Sequence, residues 1–336
     1  MHAVFLDLQT FSIANANSPA AATSTALKNI NGQVTKLTCY NTTTPEQVVE
    51  RCREADIVIS NKVVLDKTIL MQLPQLKLIC IAATGSNNID LATARTQGIA
   101  VTNVTGYANA SVAQYVFAQI LEYFHQTSHH NRNTERGLWQ QNPTFCLHGN
   151  AITELAGKTL GIIGYGSLGQ AVAKIAAAFD IKVLIGERPG AKSLRPGRCT
   201  FDFLLQHSDI VSLHCPLTAD TRHLMNEQSF QHMKPTAMLI NTARGDLIDN
   251  RALLAALKNG ELACAVLDVL DQEPPPADHP LLISRLNNEI DCGPNKLKIT
   301  GHIAWASEQA QQRLLDGIAA NICAYREQKS LNRLDK

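Results

Sequence analysis

No two of the chain's nine cysteines (Cys39, Cys52, Cys80, Cys146, Cys199, Cys215, Cys264, Cys292 and Cys323) form a C-x-x-C pair, and their number is odd. Spread over 336 residues, they read as free thiols, mostly small apolar fillers in a reducing compartment, and they exclude a disulfide framework. No metal site is expected. Long apolar runs are also lacking: each falls far short of the ~20 residues a spanning helix needs, so no membrane partner is expected. There is no dense run of Lys and Arg, and the formal net charge is only +1. A backbone-neutralising basic stripe is therefore missing, and nucleic acid is not an expected partner. No basic, apolar leader stands before the strand-like AVFLDL close behind Met1, so the cytoplasm is expected.

What is present is an ordinary globular balance, 45% hydrophobic and 18% charged, in a chain long enough to split into two domains. Strand-like runs recur at VFLDL (4–8), VTKLTCY (34–40), DIVIS (56–60), LKLICIAA (76–83) and IAVT (99–102). A second series follows at TLGIIG (159–164), IKVLIG (181–186), DIVSLH (209–214), AMLIN (237–241), LACAVLDV (262–269) and LKIT (297–300). Most are continuous apolar runs, which suits strands covered by helices on both faces. The alternation implies an α/β chain of parallel sheets with right-handed crossovers. Between the series, 109–132 has helical spacing, and GLWQQNPTFCLHGN (137–150) is too irregular for a core element. It reads as an excursion packing on a partner surface or as a plain surface loop. The stretch 305–328 is a further helix, although spacing does not say which domain receives it.

Gly164-Tyr165-Gly166-Ser167-Leu168-Gly169 follows the strand TLGII and opens the periodic helix 170–179. In that context G-x-G-x-x-G is a dinucleotide signature: Gly164 for the tight turn, Gly166 for close approach of a pyrophosphate, Gly169 for helix–strand packing. The phosphates would sit at the helix N-terminus. Glu187 ends the next strand, where a carboxylate can accept from the ribose hydroxyls and repel an added phosphate. NAD is therefore expected, with NADP as a secondary cofactor because Arg188 stands next to it. His214 ends a strand beside the same crevice, and Asp268 reads as a buried structural carboxylate near it.

Arg244 in LINTARGDLI, Glu273 in AVLDVLDQEPPP and His302 in KITGHIAWAS follow three successive strands. Ligands of open parallel sheets bind outside the carboxyl ends of strands. Reduction of a 2-keto acid needs a carboxylate clamp, a polarised carbonyl and a proton donor. Arg244 can supply the first two and His302 the third, with Glu273 orienting the imidazole and favouring its protonated form. Each also admits a plain role: a surface ion pair, a turn cap, a buried interdomain histidine.

With AATGSNNIDLATA (82–94), ELAGKTLGIIGYGSLG (154–169), SDIVSLHCPLTADTRHLMN (208–226), LINTARGDLID (239–249), AVLDVLDQEPP (265–275) and ITGHIAWAS (299–307), the chain resembles the D-isomer-specific 2-hydroxyacid dehydrogenases. Within them it is most similar to the glycerate dehydrogenase, or hydroxypyruvate reductase, branch. The resemblance implies Arg244, Glu273 and His302 as the catalytic set and Thr84, Gly85 and Ser86 as an anion nest for the substrate carboxylate. It puts Cys215, Pro216, Thr221, Thr242 and Ala243 with His214, Asp268 and His302 around the cofactor. It implies two Rossmann-like domains, 1–103 with 302–336 outside and 104–301 inside, the active site in the cleft between them, and a homodimer built through 109–150. The expected reaction interconverts hydroxypyruvate or glyoxylate and the D-2-hydroxy acid. Alternatives are a D-lactate or branched 2-hydroxy acid dehydrogenase, or an NAD-responsive corepressor-like binding protein. Two departures stand out: Gly301 where many relatives have proline, and Glu187 where aspartate is common.

Overall fold

The computed structural model describes residues 1–14, 25–191, 193–286 and 296–335; Cys292 lies outside them. All eleven expected strands form, most of them trimmed at their ends, and the first shifted from 4–8 to His2–Phe5. The first five make a parallel sheet ordered β2-β1-β3-β4-β5: β1 His2–Phe5, β2 Lys36–Cys39, β3 Ile57–Ser60, β4 Leu78–Ile81 and β5 Ala100–Thr102. The other six make a parallel sheet ordered β11-β10-β9-β8-β6-β7: β6 Thr159–Ile163, β7 Lys182–Gly186, β8 Ile210–Leu213, β9 Met238–Asn241, β10 Cys264–Leu267 and β11 Leu297–Ile299. Every residue of β3, β4, β8, β9 and β10 is buried. This is why their sequences run apolar without alternation.

The chain divides into two units, 1–108 with 305–336 and 109–304. The boundaries fall a few residues beyond 103/104 and 301/302, so His302 belongs with the second unit. The reason is local: Asp268, at the end of β10, accepts from the backbone N–H groups of Ile303 (2.9 Å) and Ala304 (2.8 Å).

In the first unit, the helix Glu308–Arg326 is capped by Ser307, whose hydroxyl accepts from the Ala310 N–H. It buries Leu314, Leu315, Ile318 and Ile322 in one core with Phe5, Ile57, Ile59 and Leu78. That settles which sheet receives the C-terminal helix. In the second unit, the helix expected over 109–132 is two helices, Asn109–His125 and Thr127–Glu135. Gln126 between them is left-handed, at φ 49°. At the start of the second helix the Glu122 carboxylate accepts from the Thr127 hydroxyl (2.7 Å) and from the Ser128 N–H (3.4 Å). Residues 137–150 form turns without regular structure.

Of the described cysteines, Cys52, Cys80 and Cys264 are buried fillers, whereas Cys39 is exposed; none of the eight forms a disulfide with another. Among the described residues, no helix is long and apolar enough to cross a membrane, and no group of His, Cys, Asp or Glu could hold a metal ion.

Candidate active site

In the second sheet the strand order reverses between β6 and β8, and a parallel sheet opens a ligand crevice at such a switch point. The glycine loop follows β6, and His214 follows β8. They are nearly in contact, because a Cβ on Gly164 would run into the backbone of His214 and Cys215. Gly164 also has φ 97°, a conformation only glycine adopts without strain. The helix Ser167–Ala177 then starts with no side-chain cap, so its first N–H groups face outward for an anion.

A cavity of about 840 Å³ extends from this loop. Gly164, Tyr165, Gly166, Glu187, Arg188, His214, Cys215, Pro216 and Thr221 of the expected cofactor set line it. An adenine dinucleotide fits on two counts. A Cβ at Gly166 would meet nothing within 4 Å, which leaves open space where the backbone can meet phosphate. A buried polar atom of the cavity lining, His214 Nδ1, has no partner among the described residues; such a group is costly unless a ligand or water satisfies it. Thr242 Oγ1, outside the lining, is also without a partner among the described residues. Burial lowers the His214 pKa to about 4, so the ring is neutral at physiological pH. Its Nε2 is 2.9 Å from the Ser212 hydroxyl. Thr221 plays a different part: its hydroxyl donates to the Pro216 carbonyl (2.8 Å) and accepts from the Thr218 N–H (2.7 Å), holding the loop closed.

Glu187 departs from expectation. Arg195 grips its carboxylate with a fork, Nε to Oε2 at 2.7 Å and Nη2 to Oε1 at 2.5 Å. The Arg188 and Arg195 N–H groups add 2.9 and 3.4 Å contacts. Arg198 Nε is 3.8 Å away. The side chain is only 4% exposed, and the Arg195 guanidinium holds its carboxyl well below the usual carboxylate range. Neither Arg195 nor Arg198 stood out in the sequence. The signal was an ERPG turn followed by two arginines in LRPGR.

Arg244, Glu273 and His302 follow β9, β10 and β11, which are neighbours at one edge of the sheet. Asn241 staples the turn bearing the arginine: its Oδ1 accepts from the Ala243 N–H (3.0 Å), and its Nδ2 donates to the Arg244 carbonyl (2.8 Å). The next residue must be glycine, because a Cβ on Gly245 would overlap the Leu270–Asp271 peptide. That contact locks the Arg244 turn to the loop carrying Glu273. Glu273 Oε1 accepts from the Leu270 N–H (3.0 Å), while His302 Nδ1 donates to Oε2 at 2.7 Å. With Nδ1 committed to the carboxylate, Nε2 is the nitrogen left for proton transfer.

His302 itself is left-handed, at φ 56°, a conformation that costs about 1–3 kcal/mol in a non-glycine residue and persists only where neighbours over-determine it. The Asp268 hub does so. Its carbonyl accepts from the His302 N–H (2.8 Å). Its carboxylate takes the Ile303 and Ala304 N–H groups and the Thr300 hydroxyl (2.6 Å). Tyr115 extends the chain with a 2.6 Å bond to Thr300. Thr300 and Tyr115 were not legible as parts of this support, because a hydroxyl on a strand end or helix carries no spacing signal. Asp268 holds the backbone on the C-terminal side of Gly301 through the His302, Ile303 and Ala304 N–H groups.

The residues expected to hold the substrate carboxylate, Thr84, Gly85 and Ser86, lie just beyond β4 in the first unit. Thr84 donates through its hydroxyl to the Val104 carbonyl (3.0 Å), and its own carbonyl accepts from Asn103 (2.7 Å).

Residues 117–304 match the family model for the D-isomer specific 2-hydroxyacid dehydrogenase NAD binding domain. The chain belongs to that family. A Haemophilus influenzae protein, named as a 2-hydroxyacid dehydrogenase without a stated substrate, is 45% identical over 84% of this chain and 88% of its own. A glycerate dehydrogenase of Methylorubrum extorquens is 40% identical over 85% and 87%. Other relatives are named hydroxypyruvate reductase and glyoxylate reductase. Among solved structures, an acyclic imino acid reductase in complex with NADPH and D-Arg superposes with a TM-score of 0.80 at 29% identity, covering 99% of this chain and all of that one. The two parallel-sheet α/β units are those of this dehydrogenase family.

Proposed function

We propose that the chain reduces a small 2-keto acid, hydroxypyruvate or glyoxylate, to the D-2-hydroxy acid. The observation that carries this reading is the His302–Glu273 pair, 2.7 Å apart, on loops following two adjacent strands, with the Arg244 turn packed against the loop of the glutamate. Arg244 binds the substrate carboxylate as a planar donor and polarises the keto oxygen. Backbone N–H groups of Thr84, Gly85 and Ser86 contribute to carboxylate recognition. When bound, the nicotinamide supplies the hydride. His302 gives the proton from Nε2 to the oxygen that becomes the hydroxyl, and Glu273 stabilises the ring through Nδ1 while that proton is held. In the oxidative direction His302 takes the proton back.

Names of relatives at comparable identity divide between hydroxypyruvate and glyoxylate. One hydroxymethyl group separates the two substrates, a difference that a pocket discriminates by only ~1–3 kcal/mol. Turnover of both is expected, with D-lactate and branched 2-hydroxy acids as weaker substrates in oxidation. Loss of reduced-cofactor absorbance across a panel of 2-keto acids is the test. A flat response to every acid refutes the dehydrogenase reading and leaves a cofactor-responsive binding protein. The chain acts in the cytoplasm on this reading, where its free thiols persist. It works as a homodimer through 109–150, where Trp139 and Phe145 are 50% and 90% exposed. Light scattering at twice the chain mass supports the dimer; a monomer that retains turnover rules it out.

A further inference from the structure

We infer that the wall beyond β7 is a 2′-phosphate site, so that the chain accepts NADP(H) at least as readily as NAD(H). This deepens the nucleotide reading of the 840 Å³ cavity and rests on it. A carboxylate at the end of the second strand ordinarily selects NAD by accepting from both ribose hydroxyls and by repelling a phosphate. Glu187 is placed to do so, but its capacity is already spent. A carboxylate offers about four lone-pair sites. Here the Arg188 N–H and Arg195 Nη2 take Oε1, while Arg195 Nε and the Arg195 N–H take Oε2. Its charge is matched by a bidentate guanidinium, with a second one 3.8 Å away.

The same wall then carries more positive than negative charge. Arg188, Arg195 and Arg198 line the cavity against Glu187 and Asp220. Arg195 is 52% exposed while it holds the glutamate, so part of its planar fork still faces solvent. Arg188 is exposed, and its guanidinium has no hydrogen bond or ion pair among the described residues. Guanidinium groups clustered at the mouth of a cavity suit a dianionic phosphate, which they bind with charge-assisted, often bidentate bonds. Glu187 therefore acts as an anchor that holds Arg195 in place. Its role is the reverse of the one its position suggests.

The test compares 5′-AMP with 2′,5′-ADP, and NADH with NADPH, by calorimetric titration of the whole chain. Tighter binding of 2′,5′-ADP than of 5′-AMP by about tenfold, the size of a charge-assisted bond or two, is the expected result. The NADPH dissociation constant should equal or fall below that of NADH, and the advantage should shrink with added salt. Arg188→Ala should erase most of the 2′,5′-ADP advantage over 5′-AMP, because that side chain meets the added phosphate; an undiminished advantage places the phosphate elsewhere. Arg195→Ala should free Glu187 toward the ribose and invert the preference to NADH. Equal or tighter 5′-AMP binding, with NADH well ahead of NADPH, overturns this inference alone. Failure of all four compounds to bind overturns the nucleotide reading and this inference with it.

Discussion

The two units carry the same strand order at their switch points and use it in opposite ways. In the first, Asp7 follows β1 and reaches across to the chain beyond β3. Its carboxylate accepts from the N–H groups of Asn61 (2.9 Å), Lys62 (2.7 Å) and Val63 (3.3 Å). That crevice is plugged by a side chain 6% exposed. Burial raises the Asp7 pKa against these bonds, which favour the charged form. In the second unit the equivalent place, after β6, holds Gly164 and Gly166. The chain beyond β8 presents His214, whose Nδ1 has no partner among the described residues. One crevice is satisfied by its own carboxylate, and the other is left for a foreign anion. The same switch point is thus filled from within or left open, depending on whether an acid or a glycine follows the first strand.

This contrast breaks if variants at the open switch point and its site act through stability, or if variants at the plugged switch point act through binding. The largest effect is expected at His302. His302→Ala should lower kcat about 10²–10⁴-fold, the range for a lost general acid, with cofactor affinity and melting temperature nearly unchanged. Stopped-flow single turnovers check this, and a preserved chemical step removes His302 from the reaction. Next comes Gly166→Val. Its φ of −82° and open surroundings tolerate a side chain in the fold, but the side chain would occupy the phosphate path. Dinucleotide affinity should fall about 100-fold or more, since a displaced phosphate forfeits several charge-assisted bonds. Calorimetry with an unchanged melting curve is the readout; retained affinity would place the phosphates elsewhere.

Asp7→Ala sharpens the comparison from the other side. It leaves buried N–H groups unsatisfied and should cost about 2–4 kcal/mol of stability, with kcat and cofactor affinity unchanged in the folded fraction. Denaturant melts and kinetics measured together check it; altered affinity without lost stability would contradict the plug. The smallest effect concerns acid. His214 is lowered to about 4 in the fold from ~6.5 when unfolded, so the unfolded state binds the extra proton between those values. Stability is therefore full above ~6.5 and falls as pH drops toward 4, by about 2 kcal/mol between pH 7 and 5. His214→Gln should flatten this part of the pH–stability curve, and an identical slope would show that another group carries it.

Much of this was readable from residues. All eleven strands could be found because burial on both faces forces unbroken apolar runs, and helices between them force parallel pairing. Arg244, Glu273 and His302 were legible because each lies beyond a strand whose end the chain must expose. The break at Gln126 was not read, although the apolar positions stop at Phe124; the contact at the start of the second helix comes from Glu122, a side chain on the preceding helix. The place of His302 in the second unit was equally hidden, because it depends on Asp268 drawing in two backbone N–H groups from 35 and 36 residues away. Glu187 taught the most: its position after β7 suggested repulsion of phosphate, and only the fold shows that Arg195, eight residues later, already pairs with that carboxylate.

By itself the sequence determined the two α/β series, the glycine loop opening a helix, and the three polar residues beyond β9, β10 and β11. Those features follow from periodicity and steric permissiveness, which act over a few residues. Only the tertiary structure decided which carboxylates are already spent and which crevice stays open. It also decided what holds His302 in a left-handed turn. Hydrogen-bond saturation depends on groups brought together from distant parts of the chain, and no local pattern records it.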